Sequence, residues 1–184
     1  MEMNNNEGMY TVDVRIREVD RRVFLEEEAE ALARLAAEIW TEHYTPIIGA
    51  EQVAYMLENY QSAARIASDI QDEGYHYYIA EDLDAGKPVG YSAMYLTDDC
   101  MFLSKLYVLR DYRGQGIARR FFDLLISMCH TAGKDKIELH VNIHNASSIA
   151  VYEKMGFVTT GDLQTDIGGG FIMDDHVMVY TIAK

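Results

Sequence analysis

Residues 103–118 pass from a strand-like run into a glycine-containing turn and then into a helical pattern. The turn has the sequence Arg113-Gly114-Gln115-Gly116-Ile117-Ala118. Glycines allow the backbone to approach a ligand closely, and the start of a helix offers unpaired N–H groups and a partial positive charge. With the fixed cation of Arg113, these features favour a phosphate-binding site. The residues alone fit an ordinary strand-to-helix turn equally well, so both interpretations stay open.

The elements around this turn predict an α/β arrangement. Residues 11–17 alternate between apolar and polar, which indicates a strand, and helical spacings follow at residues 25–40 and 53–70. We expect the first helix to stop near Trp40, because Pro46 forbids an immediate restart. Further strands are predicted at residues 75–81, 88–96, 101–109, 137–141, 157–163 and 171–182, and further helices from residue 117 to an end at Gly133 and at 146–154. This order predicts a mixed sheet, antiparallel in its first half, with a crossover helix after residue 109.

The length and the cysteine content limit the classes of protein to which this chain can belong. The chain has 184 residues, enough for one full-sized domain, and we expect a flexible lead-in at residues 1–10 and a single domain at residues 11–184. The first residues lack the features of a signal peptide, and no apolar run approaches the roughly 20 residues of a membrane span. The two cysteines, Cys100 and Cys129, form no disulfide framework, so a cytoplasmic location is expected.

The formal net charge of -14 argues against nucleic acid as the main partner, because phosphate-backbone binding needs a basic surface. The charge fits a cationic substrate, and it is also common in acidic proteins whose charge has nothing to do with a substrate. Five of the 16 Lys and Arg residues surround the glycine turn: Lys105, Arg110, Arg113, Arg119 and Arg120.

Two segments together resemble the GNAT superfamily of N-acetyltransferases. The turn is similar to the family's pyrophosphate loop, Arg/Gln-x-x-Gly-x-Gly/Ala, and residues 145–157 are similar to its Asn-x-x-Ala-x-x-x-Tyr-x-x-x-Gly-Phe segment. The matching positions are Arg113, Gly116, Ala118, Asn145, Tyr152, Gly156 and Phe157, with Ser148 where alanine is common. The resemblance implies a single-domain α/β (α+β) fold with a mixed sheet of about seven strands and four helices. Residues 40–44 and 168–175 look most like bacterial polyamine and peptide acetyltransferases.

The resemblance also implies how acetyl-coenzyme A (acetyl-CoA) would be held. The N–H groups of Arg113, Gly114, Gln115, Gly116, Ile117 and Ala118 would bind its pyrophosphate. Backbone groups near Leu106, Tyr107 and Val108 would bind the pantetheine arm, and one N–H there would polarise the thioester carbonyl. Asn145 would bond the pantetheine or the sulfur end while also capping its helix. Tyr152 would be the general acid for the departing thiolate, unless it is one of the 13 tyrosines that merely packs a helix.

On the acceptor side, the resemblance places Trp40, His43 and Tyr44 over the substrate, where an aromatic wall could hold a cation. A base is needed, because an alkylamine with a reference pKa of about 10.4 is mostly protonated at neutral pH. Many relatives carry a glutamate for this purpose where the chain has Ser104. The candidate bases are His140, His144, Glu42 and His43. Four aspartates could attract an amine, although such pairs in turns are more often solvated: Asp98, Asp99, Asp174 and Asp175.

These features predict an acetyltransferase that acts on a primary amine of a small molecule, which could be a polyamine, or of a peptide. A coenzyme-binding regulatory protein without turnover is an alternative, favoured by Ser104, and a nucleotide-binding protein is another. The turn does not match a P-loop, because no Gly-Lys-Ser/Thr follows it. It does not match a dinucleotide-binding fingerprint either, because Arg119 stands where that motif has its third small residue. No metal-ligand spacing occurs, so we expect no metal, and we expect a monomer or homodimer with no nucleic-acid or membrane partner.

Overall fold

The computed structural model describes residues 12–22 and 25–183. The predicted lead-in at residues 1–10 lies outside the described residues, and the domain boundaries stay a prediction. Seven strands and five α-helices are described in chain order: β1 (Val14–Glu18), α1 (Leu25–Ile48), α2 (Ala50–Tyr60), α3 (Ala63–Gln71), β2 (His76–Asp82), β3 (Lys87–Leu96), β4 (Met101–Val108), α4 (Ile117–Ala132), β5 (Lys136–Asn142), α5 (Ala146–Met155), β6 (Val158–Gly168) and β7 (Phe171–Thr181). The predicted α/β fold with a mixed sheet is confirmed.

The strands form one sheet in the order β1-β2-β3-β4-β5-β7-β6. All described neighbours are antiparallel except β4 and β5, which are parallel and pair only at Met101↔Ile137 and Phe102↔Glu138. Beyond Phe102 these two strands therefore separate, and a gap opens in the middle of the sheet. A register shift between β3 and β4 also leaves Ser104 without a partner, so β4 bulges at the start of the gap.

The helices differ from the prediction in two places. The expected stop near Trp40 is wrong, since α1 continues through Pro46 to Ile48. Proline removes only its own N–H, and both Pro46 and Glu42, whose carbonyl loses its partner, are exposed to water. The predicted helix over residues 53–70 is two helices, because Ser62 adopts an extended conformation and its side chain accepts from the N–H of Arg65 at 3.3 Å. The helices thus number five rather than four.

Two apolar clusters hold the layers together. The stripe of α1 (Leu32, Leu35, Ala36 and Ile39) packs on the first half of the sheet, and the stripe of α4 contributes Phe122 and Leu125 to the second cluster. Each fully buried side chain of this size contributes roughly 1.5 to 3 kcal/mol relative to exposure. None of the described helices is long and apolar enough to cross a membrane.

A buried ion cluster fixes α3 to β4. Asp69 on α3 is fully buried and contacts the Nε atom of Arg65 at 2.7 Å and the Nζ atom of Lys105 at 3.3 Å. The hydroxyl of Tyr77 also donates to Asp69 at 2.7 Å. Burial lowers the pKa of Lys105, and the carboxylate of Asp69 opposes that shift. Lys105, the first member of the basic run, is therefore a structural residue.

Candidate active site

Two clefts adjoin each other where β4 and β5 separate. The first, the α4 cleft, has a volume of about 380 Å³ and is bounded by the glycine turn and the start of α4. The second, the α2 cleft, has a volume of about 290 Å³ and is bounded by α2 and the β6–β7 hairpin. Five residues line both clefts: Tyr44, Leu106, Tyr107, Ser148 and Tyr152. A group transferred from one cleft to the other would pass these residues.

The glycine turn forms an open cradle at the α4 cleft. Gly114 and Gly116 have φ angles of 76° and 81°, in the left-handed region that favours glycine. No atom lies within 4 Å of the position that a Cβ would take on either residue, among the described parts of the chain. Arg113, Gly114, Gly116, Ile117 and Ala118 line the cleft, and their binding of a pyrophosphate stays a prediction. The side chain of Gln115 is exposed and donates instead to the carbonyl of Asp111 at 3.1 Å.

The start of α4 carries a positive field, which the exposed pair of Arg119 with Asp123 offsets only in part. Within the described residues no side chain caps the start of α4 at Gly116, and the first helical bond runs from the N–H of Arg120 to the carbonyl of Gly116 at 3.0 Å. The N–H groups of the preceding residues therefore have no intrahelical partner. The first turn holds no acidic residue but does hold Arg119 and Arg120, where the helix dipole disfavours cations. Arg113 adds a guanidinium held by its Nε bond to the Val108 carbonyl at 2.9 Å. An anion bound here would relieve this repulsion.

The exposed edge of β4 extends the α4 cleft. Leu106, Tyr107 and Val108 line it, and they lie beyond the last pair that β4 makes with β5. The Val108 carbonyl already accepts from Arg113, but no strand of the described residues pairs with this edge of β4, so its other backbone groups can bond a ligand that lies in the gap. A long molecule with phosphates at one end and amide groups along its arm fits the donors of the turn and of this edge.

The tyrosines at the junction keep their protons at neutral pH. Desolvation raises the pKa of Tyr44 to about 12 and raises the pKa of Tyr107 and Tyr152 further. The rings of Tyr44 and Tyr107 meet edge to face, with centroids 6.1 Å apart. All three hydroxyls can therefore donate hydrogen bonds, and Tyr152 is a weaker acid than its reference pKa of about 10 suggests.

Asn145 links α5 to α1. Its Oδ1 accepts from the Ser148 N–H at 3.3 Å, which caps α5, and lies 3.2 Å from the Nε2 atom of His43. The residue is 1 % exposed and does not line either cleft. Its predicted bond to the ligand stays a prediction. His43 lines the α4 cleft rather than the α2 cleft, and burial, followed by the charge of Arg113, lowers its pKa.

Aromatic rings form much of the wall of the α2 cleft. Trp40 stacks on Tyr44 with ring centroids 4.3 Å apart, and the two rings line the cleft together with Tyr60, Phe102 and Tyr107. Such a wall can attract a cation. The predicted contact of Trp40 and Tyr44 with an acceptor stays a prediction, and Trp40 is also part of the core at 2 % exposure.

The candidate bases are distributed unevenly. His140 lines the α2 cleft, with its ring 4.9 Å from that of Phe102. His144 and Glu42 are exposed and line neither cleft, and Glu42 pairs with Arg110 at 3.1 Å. Ser104, at the bulge of β4, also lines the α2 cleft but carries no charge. Among the four candidates, only His140 lines the α2 cleft.

Asp175 is one of the four aspartates that the sequence named as able to attract an amine, with a solvated turn as the commoner alternative. The expectation of a solvated turn is wrong for it, since Asp175 lies within β7 opposite Asn142 of β5, is 8 % exposed and lines the α2 cleft. Burial raises the pKa of Asp175, and His140 opposes this. Strand alternation, which puts Asp175 on the same face as Met173, was the available signal. Asp98 and Asp99 are exposed, as expected of acids in a turn.

The β6–β7 hairpin closes on α2 at one end of the α2 cleft. The hydroxyls of Tyr55 and Tyr60 both donate to the carbonyl of Ile167, at 2.7 and 3.0 Å. A Cβ on Gly168 or Gly169 would lie 2.5 or 2.7 Å from atoms of Tyr55, so only glycine allows this approach. We call this contact the hairpin latch.

The prediction of no metal remains a prediction; within residues 12–22 and 25–183, no three His, Cys, Asp or Glu side chains are placed to hold an ion.

Comparison with known proteins identifies the family. The sequence profile of the acetyltransferase (GNAT) family matches residues 27–157. An uncharacterized N-acetyltransferase of Mycobacterium tuberculosis is 29% identical over 153 residues, which cover 83% of this chain and 96% of that protein.

Solved structures share the fold. The PaiA N-acetyltransferase from Thermoplasma acidophilum, in complex with coenzyme A, superposes with a TM-score of 0.73 at 18% identity, covering 92% of this chain and 99% of that one. A chimera of the spermidine N-acetyltransferase from Vibrio cholerae superposes with a TM-score of 0.64 at 20% identity, covering 91% and 95%.

Proposed function

Since this chain belongs to the acetyltransferase (GNAT) family and is an acetyl-CoA-dependent N-acetyltransferase, we propose that its acceptor is a primary amine of a small molecule. The observation that carries the proposal is the pair of adjoining clefts, one suited to an extended anionic donor and the other to a small cation. Tyr152 lines both of them. The donor supplies an activated acetyl group, and the residues of this chain align it with the amine.

The α4 cleft is the proposed site of acetyl-CoA. The amides from Arg113 to Ala118 and the guanidinium of Arg113 supply donors for the pyrophosphate, and the absence of acidic residues from the first turn of α4 supports an anionic ligand there. The free edge of β4 at Leu106, Tyr107 and Val108 supports the pantetheine arm. An N–H on that edge would stabilise negative charge on the acetyl oxygen.

Tyr152 is the proposed donor to the departing sulfur. A thiol has a reference pKa of about 8.5, below the raised pKa of Tyr152, so full transfer of the tyrosine proton to the thiolate is unfavourable. A hydrogen bond from the hydroxyl stabilises the thiolate instead. Asn145 acts through His43 and the cap of α5, which fix α5 against α1 and so position Tyr152.

The α2 cleft supports a small amine rather than a peptide. Its volume of about 290 Å³ is bounded by the hairpin latch, which leaves little room for a long chain. The aromatic rings of Trp40 and Tyr44 and the carboxylate of Asp175 suit an ammonium group. The net charge of -14 favours approach of a cation. The structural neighbour named for spermidine acetylation makes polyamines the first class to test.

The test is an assay of thiol release. The protein would be mixed with acetyl-CoA and a panel of spermidine, putrescine, phenethylamine and a short peptide with a free N-terminus. We expect free thiol with at least one small amine and little with the peptide. Binding of coenzyme A without thiol release from any amine would favour a regulatory protein. Tight binding of ATP or NAD without binding of coenzyme A would exclude the proposed donor. The cytoplasmic location and the monomer or homodimer stay predictions.

A further inference from the structure

The α2 cleft contains one buried carboxylate with an unused oxygen. Asp175 lies on β7 between Asn142 of β5 and Leu163 of β6, and it is 8 % exposed. Its Oδ1 atom is buried and has no hydrogen-bond partner among the described residues. A buried carboxylate oxygen without a donor is costly, and native proteins rarely keep one without a reason. The missing donor is the observation that points to a ligand.

We infer that Asp175 receives the acceptor amine in its ammonium form and takes one of its protons. This inference rests on the proposed amine acceptor. It assigns the base for the amine, which the family's sequence pattern leaves unassigned in this chain. An ammonium group has three N–H donors, which would satisfy Oδ1 while the aromatic wall surrounds the rest of the cation. Ser104 stands where many relatives have a carboxylate on β4, and Asp175 supplies one to the same cleft from β7.

With Asp175 as the base, every proton in the reaction has a source and a destination. Asp175 takes one proton from the ammonium, which frees the lone pair of the nitrogen. The nitrogen then bonds the acetyl carbon, the carbon–sulfur bond breaks, and the nitrogen loses a second proton. The thiolate gains one proton. The products are the amide, the free thiol and one proton on Asp175, which water removes.

The surroundings of Asp175 make it a better base than an exposed aspartate. Burial raises its pKa, Asp174 raises it further, and His140 on β5 and His176 on β7 lower it. Tyr44 on α1 faces it as a neutral hydroxyl. Because the folded-state pKa is raised, protonated Asp175 stabilises the fold at acid pH, and this contribution is lost as the pH rises through the folded pKa. Asp175→Asn is therefore not expected to unfold the protein at neutral pH.

The experiment compares Asp175→Asn with Asp174→Asn, the neighbouring residue on the opposite face of β7. The assay measures kcat/KM for spermidine and phenethylamine between pH 5 and 9, on the full chain. We expect Asp175→Asn to reduce kcat/KM about 10²-fold, to abolish the acid limb of the pH profile, to leave coenzyme A affinity unchanged and not to lower the thermal midpoint. Asp174→Asn is expected to keep the wild-type kcat/KM on the plateau and to move the acid limb to lower pH, because the charge of Asp174 raises the pKa of Asp175.

A second variant distinguishes a loss of the catalytic group from a loss of folding. In Asp175→Ala, added formate is expected to restore part of the lost turnover, which a purely structural role would not allow. Wild-type turnover with an unchanged kcat/KM and acid limb in Asp175→Asn would overturn this inference and leave the proposed function intact. Absence of thiol release from every amine with the wild type would overturn both.

Discussion

Gly116 and Gly133 offer a matched pair of substitutions at the two ends of α4. Both residues have a left-handed φ, 81° and 67°, and at neither does any described atom lie within 4 Å of the position of a new Cβ. Gly116 lies in the proposed pyrophosphate cradle, whereas Gly133 ends the helix far from it. Substitution by alanine therefore imposes the same backbone strain at both positions and changes the cradle at only one.

The strain sets the expected loss of stability. An L-residue in the left-handed region costs about 1 to 2 kcal/mol. For a chain of this length, that cost lowers the thermal midpoint by roughly 2 to 8 °C. We expect Gly116→Ala and Gly133→Ala to show similar losses, measured by thermal unfolding without ligand.

The loss of ligand affinity should separate the two variants. If the turn relaxes to a negative φ, its N–H groups no longer converge on the phosphates. One lost hydrogen bond to a charged group costs about 1.5 to 3 kcal/mol, which corresponds to roughly a 10- to 150-fold rise in Kd. Calorimetric titration with coenzyme A, well below the thermal midpoint, should show this rise for Gly116→Ala and the wild-type Kd for Gly133→Ala. Equal affinities in the two variants would refute the assignment of the cradle.

Two further predictions concern single side chains. Tyr152→Phe is expected to lower kcat about 10²-fold in the thiol-release assay while leaving the Kd of coenzyme A unchanged, because the ring remains and only the donor is lost; an equal loss of both would make Tyr152 a packing residue. Asp69→Asn leaves Lys105 buried without its counter-charge, which is expected to cost about 3 to 5 kcal/mol and to lower the thermal midpoint by roughly 6 to 20 °C. Asp123→Asn, which breaks the exposed pair with Arg119, should cost less than about 1 kcal/mol, and a similar loss in both would contradict the role given to burial.

The sequence predicted the elements that have strong local signals. The glycine turn after β4 was predicted correctly because strand alternation, two glycines and a helical stripe occur in succession. The end of α1 was predicted wrongly because of Pro46. The free-energy cost of a proline within a helix depends on whether water can reach the carbonyl that loses its partner, here that of Glu42. That exposure is set by the tertiary structure and has no local sequence signal. The Ser62 cap that divides α2 from α3 was visible in the sequence and was overlooked within an otherwise continuous apolar pattern.

The candidate site was predicted less evenly. Residues of the α4 cleft follow one another along the chain, so a motif could mark them. The α2 cleft combines α1, α2, β4, β5 and the β6–β7 hairpin, and such a set has no local pattern. The sequence therefore left Asp175 open between attracting an amine and a solvated turn, because its burial depends on β7 pairing with β5 and β6 on either side. His43 was placed on the acceptor side, although the turn of α1 carries its ring to the α4 cleft.

The separation of β4 from β5 has a consequence for the kinetics. Since the two clefts have different outer walls, the proposed donor and acceptor sites can be occupied at the same time, and neither substrate must leave before the other enters. Cys100 and Cys129 are buried and line neither cleft, so neither is placed to carry the acetyl group as a covalent intermediate. Initial-velocity plots at several fixed amine concentrations should therefore give intersecting rather than parallel lines, the pattern of a ternary complex.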